Sequence, residues 1–370
     1  MEYEIIRKPF MLYETVAMFY KYINGITFQQ DLNTRNKFVA GSVLHNAALK
    51  RCARLQQIME VVCHDVDPNA QAMRKFFGSL SAGYEDICLA QVMTHSFCTL
   101  KYPDFRENVD EILRIWEELQ DRHAWIHPGG VGVLVFTDGP DCPGNLIKQI
   151  RGLKYPVEFK LELCETLTSF DESMQELASM IEPYAIKLKE AYDTEPDLFG
   201  EVESYWREEF QKRSPIEFMA VSVGEDVVAG AGEKTVVALS LMNTRLLNGD
   251  MANDCLFCSE HNTMYIGSHI TSNTMMKEPG ETVGAVAAVM KYLGDGRRLE
   301  ILQKLSKECF YGMELAESMN MNTGNLSRSL ATLCNYGFVR QERGVLRTYY
   351  QADRDAFHNF LEMVERAVFE

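Results

Sequence analysis

Apolar residues recur at three- and four-residue steps over much of the first two thirds of the chain. Between Lys37 and Cys63, Val43, Leu44, Ala47, Cys52, Leu55 and Met59 fall on one broad stripe, the spacing of an amphipathic helix with a buried face. The stretches 69–100, 107–126 and 172–192 repeat that character, so 35–213 reads as mainly helical. One interruption, HPGGVGVLVFTDGPDCPG at 127–144, is rich in Gly and Pro around the short apolar run Val131–Phe136, which reads as a strand or a buried loop. Its GGVG lacks the spacing of a dinucleotide fingerprint.

From 216 to 272 the period shortens. FMAVSV (218–223), TVVALSL (235–241) and TMYIGSHI (263–270) are β-branched, partly alternating runs separated by Gly, Asn and Asp, which predicts a small antiparallel sheet. KEPGET (277–282) reads as a linker. The expected class is mainly α with a small β region (α+β). Its domains are a helical N-terminal one (1–215), a β-rich connecting region (216–276) and a C-terminal domain (283–370).

The last 90 residues are the most informative. Val286, Val289, Met290 and Leu293 form one apolar set. Asp295 is placed to cap a helix that turns Leu299, Ile301, Leu302 and Leu305 inward. A short helix follows with Leu315, Ala316 and Met319 on one side, then a break at MNTG. The next helix, 323–336, buries Leu326, Leu330 and Leu333 and stops at Gly337. Its other face carries Asn325, Arg328, Ser329 and Thr332. Two short helices joined by a tight turn, the second apolar on one side and polar or basic on the other, predict a helix-turn-helix. Small residues at Thr323, Gly324 and Ser327 would let backbone N–H groups approach phosphate closely. FVRQERGVLRTYYQAD (338–353) then reads as strand, turn, strand, with Arg343 and Arg347 flanking the tip. A last helix, 353–368, places Phe357, Phe360, Leu361, Val364 and Val368 on one stripe.

In order and spacing, these elements resemble the ArsR-type winged-helix transcription regulators over about a quarter of the chain. R-x-x-I-L-x-x-L is matched by Arg298, Ile301, Leu302 and Leu305, and E-L-A by Glu314, Leu315 and Ala316. The recognition-helix pattern is matched from Ser327 through Leu330, Leu333, Gly337, Phe338 and Val339, and the wing closes on Tyr349-Tyr350. The resemblance implies a DNA-binding homodimer paired through its terminal helices. The metal sites of the family are not matched: Tyr311, Gly312 and Met313 replace its Cys-x-Cys, and Asp353, Asp355 and a lone His358 replace its Asp-x-His with a later His pair.

Composition and charge refine this picture. The 370 residues suffice for about two domains. With 46% hydrophobic and 24% charged residues the chain is of the globular kind, which excludes a disordered or collagen-like protein. The net charge of −16 argues against nucleic acid until it is divided by region. Residues 285–370 carry 11 Lys+Arg and 11 Asp+Glu, so the whole excess lies in 1–284, with 26 against 42. Within 322–350, Arg328, Arg340, Arg343 and Arg347 stand against Glu342 alone, a basic patch suited to a phosphate backbone. No signal-like start or long apolar span occurs, and the ten scattered cysteines read as reduced thiols, so a cytoplasmic protein with no membrane association is expected.

The sites expected are therefore DNA contacts at Thr323, Gly324, Asn325, Ser327, Arg328, Ser329, Thr332, Arg343 and Arg347, and a dimer interface at Phe357, Phe360, Leu361, Val364 and Val368. The core behind the recognition helix is expected from Leu302, Leu305, Leu315, Leu330 and Leu333. No cofactor and no catalytic set is expected. Nothing in 1–284 forms a nucleophile–base motif; His45, His64, His95, His123 and His127 lack a paired spacing, and Asp138 and Asp141 read as turn residues. Cys255, Cys258 and His261 have metal-like spacing but no second ligand pair beyond His269. The leading expectation is a DNA-binding regulator, with double-stranded DNA, a second copy and a small-molecule effector as partners. The alternative is a metal-binding or enzymatic N-terminal domain, with the winged helix serving as a protein-interaction module.

Overall fold

The computed structural model describes residues 2–34, 43–79, 88–97, 100–122, 125–128, 134–137, 150–151, 156–223, 228, 231–251, 261–271, 283–343 and 347–369. The chain divides into two compact units, and neither is continuous in sequence. Among the described residues the fold is mainly helical with small sheets, and no helix is long and apolar enough to cross a membrane.

The first unit comprises residues 1–30, 54–215 and 229–268. At its centre is α1 (Met11–Asn24), which is buried on almost every side, as expected of a helix with apolar residues all round. It packs against α4 (Gln71–Phe77), α5 (Leu89–His95), α6 (Phe105–Arg122) and α8 (Phe170–Asp193). Also in this unit are α7 (Val157–Thr168) and α9 (Asp197–Lys212). A four-stranded sheet has the order β1 (Glu2–Ile6), β4 (Lys234–Ser240), β6 (Asn262–Gly267), β5 (Leu247–Asp250). The Gly/Pro-rich interruption holds an antiparallel pair, β2 (Trp125–Pro128) with β3 (Leu134–Thr137).

Several expectations change here. The sheet is not simply antiparallel: β1 and β6 both pair with β4 in parallel, and only β5 pairs antiparallel with β6. Burial explains it, because β6 is buried along its whole length and β4 from Thr235 onward, as strands of parallel sheets are. FMAVSV is not a strand either but part of α10 (Pro215–Val223). Pro215 opens that helix, where a missing N–H costs nothing. The strands expected to form a connecting region belong instead with the N-terminal residues, since β4 pairs with β1.

A buried carboxylate ties α1 to the carboxyl end of this sheet. Glu14 is wholly buried. It accepts hydrogen bonds from the Ser240 hydroxyl, from Tyr192 Oη at 2.6 Å, from the Met242 N–H at 2.9 Å and from the Leu241 N–H at 3.2 Å, with Tyr265 Oη at 3.3 Å. Beside it, the Cβ that any other residue would add at Gly267 would overlap the backbone of Asn243 and Thr244. The loop after β4 therefore closes directly over the end of β6, and the polar groups there are packed in place.

The second unit comprises residues 31–53, 216–228 and 269–370. It includes the first half of α3 (Val43–Val62) and the whole C-terminal domain. The order there is α11 (Val283–Leu293), α12 (Gly296–Leu305), β7 (Phe310–Tyr311), α13 (Gly312–Ser318), α14 (Thr323–Asn335), β8 (Val339–Arg343), β9 (Thr348–Ala352) and α15 (Arg354–Phe369). The three strands form an antiparallel sheet in the order β7-β9-β8. Leu302, Leu305, Leu315, Leu330 and Leu333 share one core with Ile301, Leu326, Phe338 and Val339. Asp295 caps α12 by accepting the Arg297 N–H at 2.9 Å. Leu299 does not point inward; it is 45% exposed. At 100° per residue it lies roughly 110° from the centre of the face that Ile301, Leu302 and Leu305 define.

Candidate nucleic-acid interface

The helix-turn-helix consists of α13 and α14. Asn322 caps α14, its side chain accepting the Gly324 N–H at 2.9 Å. Leu326, Leu330 and Leu333 are buried beneath the helix, while Thr323, Gly324, Asn325, Ser327 and Arg328 are exposed above it. Ser329 and Thr332 lie half-buried at the margin. The N-terminal N–H groups are less available than the sequence suggested, because Asn322 takes those of Gly324, Asn325 and Leu326 through its side chain and carbonyl. What the helix end presents is therefore side chains. Arg328 donates to Asn325 Oδ1 at 2.6 Å, so the two groups are held together on the exposed face one turn apart.

The helix is fixed at both ends. At its C-terminus Gly337 has φ +76°, and the Phe338 N–H reaches back to the Leu333 carbonyl at 3.0 Å, the left-handed termination that glycine permits. Along its side, Tyr292 Oη donates to the Ser329 carbonyl at 3.2 Å. The same tyrosine ring carries the Arg298 guanidinium, 3.7 Å from its centroid.

The hairpin β8–β9 is present, with Arg343 opposite Thr348 in register. The tip at 344–346 and the Arg343 side chain lie outside the described residues. Arg347 is exposed, and its guanidinium lies 4.2 Å from the ring centroid of Tyr311. That contact depends on β7, a two-residue strand too short to leave a periodic signal. The basic window is more restricted than its sequence count. Arg340 is largely buried 3.9 Å from Asp353, and burial lowers its pKa. Glu342 is buried as well. Among the described side chains of 322–350, the exposed charges are therefore Arg328 and Arg347.

The residues expected to form a dimer interface separate into two groups. Phe360 is buried in the chain's own core, with its ring 5.5 Å from that of Phe338, and Phe357 and Val364 pack partly against that core. The reason is that α15 lies on α11, whose Val286, Val289 and Leu293 face the same core. Leu361 and Val368 remain 51% and 66% exposed, and Met290 of α11 is 50% exposed.

Of the metal candidates, Cys255 and Cys258 lie outside the described residues and His261 is half-buried. His269 pairs instead with Cys52, Nε2 to Sγ at 3.4 Å. Asp138, Asp141 and His123 also lie outside the described residues, as does the side chain of His127. His64 is exposed and His45 half-buried. His95 is buried beside Asn243, and burial pushes its pKa down to about 4.

No protein-family model matches the chain, and no curated protein matches it. Among solved structures, the chain is similar to a homodimeric winged helix-turn-helix DNA-binding domain from Mycobacterium bovis, a possible ArsR-family transcriptional regulator. The similarity has 32% identity over 23% of this chain and 82% of that one, with a TM-score of 0.19.

Proposed function

We propose that this chain is a DNA-binding transcriptional regulator with a binding rather than a catalytic role. It reads double-stranded DNA with α14 in the major groove and the β8–β9 wing against the backbone. The observation that carries this reading is the division of α14: its apolar side is locked into the core, while small residues and an Asn325–Arg328 pair stand exposed on the opposite side. An arginine matches guanine and an asparagine matches adenine in the major groove. Arg347 beside the hairpin tip suits a phosphate. The exposed Leu361, Val368 and Met290 suit pairing with a second copy, and a two-fold dimer would place two recognition helices about 34 Å apart on a palindromic operator. The first unit, which holds most of the acidic excess, is the part left to bind an effector.

An electrophoretic shift assay with the DNA upstream of the protein's own gene tests the reading. Sequence-selective binding that weakens steeply with salt is expected. Failure to bind any duplex at low salt would exclude it.

A further inference from the structure

Glu342 is the one acid in the basic window, and it is 4% exposed. Its Oε1 accepts the backbone N–H of Leu44 at 2.8 Å, from a residue 298 positions away. Leu44 is the second residue of α3. A first-turn N–H has no partner within its own helix, and the helix N-terminus carries partial positive charge, so a carboxylate is the matched cap. This cap comes from the wing. β8 is the edge strand of its sheet, and along it Gln341 is exposed while Arg340 and Glu342 are covered, the alternation of a strand with one face occupied. His45, next to Leu44, is half-buried, and its pKa is lowered first by burial and then by Arg340. Arg340 faces Asp353, whose Oδ1 accepts the N–H groups of Asp355 and Ala356 at the start of α15. The first turn of α3 is thus joined to β8 by a charge-assisted hydrogen bond, beside a row of charges that ends at the cap of α15.

We propose that the first turn of α3 is a clamp that keeps the wing competent for DNA. Docked, it hides the Glu342 carboxylate, and Arg347 stands as an exposed charge of the wing. Released, it returns a negative charge to a strand that lies near phosphates, and the resulting repulsion weakens binding. The charge half of this proposal rests on the DNA-binding reading above, whereas the clamp itself does not.

The test uses the full chain with three variants. Leu44→Pro removes the donor in the first turn of α3, where no hydrogen bond within the helix is lost, Glu342→Ala removes the acceptor, and Leu44→Pro combined with Glu342→Gln removes both the bond and the charge. Hydrogen exchange followed by mass spectrometry should show residues 44–50 and 339–343 exchanging about tenfold faster in Leu44→Pro and Glu342→Ala, with 323–335 unchanged as the control for folding. Unchanged exchange in both segments would overturn the clamp. On a mixed-sequence duplex at low salt, Leu44→Pro should bind roughly threefold more weakly than the wild type, and the double variant should recover. Equal binding by all three proteins would overturn the charge argument. If the wild type binds no duplex, the DNA reading and the charge half fall together, while the exchange result still decides the clamp.

Discussion

Replacing Glu14 with alanine should destabilise the first unit by about 3 kcal/mol. The carboxylate has no exposed surface and serves Ser240, Tyr192 and the backbone N–H groups of Leu241 and Met242, with Tyr265 at the edge. The hydroxyls can rotate toward other acceptors, but the two N–H groups cannot. An unsatisfied buried donor costs about 1–3 kcal/mol, so these two alone cost roughly 2–6 kcal/mol. Removing the carboxylate also removes its own desolvation penalty, which offsets part of that loss. Glu14→Gln keeps one acceptor oxygen and turns an N–H donor toward the other partners, so about 1–2 kcal/mol is expected.

Tryptophan fluorescence during urea unfolding measures this unit selectively, because Trp116, Trp125 and Trp206 all belong to it. The pH dependence supplies a second check. Burial raises the Glu14 pKa above 4.5 despite the lowering effect of its hydrogen bonds. A carboxyl raised on folding contributes stability that is fully present below its unfolded pKa and is lost as pH rises through the folded value. The wild type should therefore lose stability relative to Glu14→Gln as pH rises from 4 toward neutrality. A fluorescence midpoint for Glu14→Ala within about 0.5 kcal/mol of wild type would show that α1 is not held to the sheet through this group.

Asn325→Ala and Arg328→Ala should each reduce discrimination between operator and unrelated DNA by about 1–3 kcal/mol. By contrast, Arg343→Ala and Arg347→Ala should weaken binding to all sequences and flatten the salt dependence by about one unit per lost phosphate contact, as measured by titrations at several ionic strengths. Leu361→Glu with Val368→Glu should yield a folded monomer by light scattering, because both side chains are exposed in the single chain; a dimer that persists would place the interface elsewhere. Phe360→Ala should instead lower stability by about 3–5 kcal/mol, since the ring belongs to the core of its own unit. Gly337→Ala should cost about 1–2 kcal/mol in thermal unfolding, because φ there is +76°.

Periodicity alone placed the C-terminal elements well. Asp295, Leu326, Leu330, Leu333 and Gly337 occupy the positions their spacing predicted, because a helix bound by its own caps and one apolar stripe is specified locally. Short-range pattern was less informative where burial on two faces removed the alternation. β4 and β6 are buried almost throughout, their polar Thr235, Asn262 and Thr263 included, and strands covered on both faces do not distinguish parallel from antiparallel partners by pattern; β1, at the far end of the sequence, decided that. FMAVSV had strand-like composition, but a preceding proline and tertiary burial made it a helix. The charge count of the wing was correct as arithmetic and misleading as a surface. Residue type determines that Arg340 and Glu342 are charged, but the neighbouring Asp353 and the Leu44 N–H determine that Glu342 is withdrawn from solvent and Arg340 largely so. Those partners lie 13 and 298 positions away, and one of them is a backbone N–H that every non-proline residue carries. A contact of that kind leaves no mark in the sequence; only folding brings a helix end within 2.8 Å of the carboxylate that caps it.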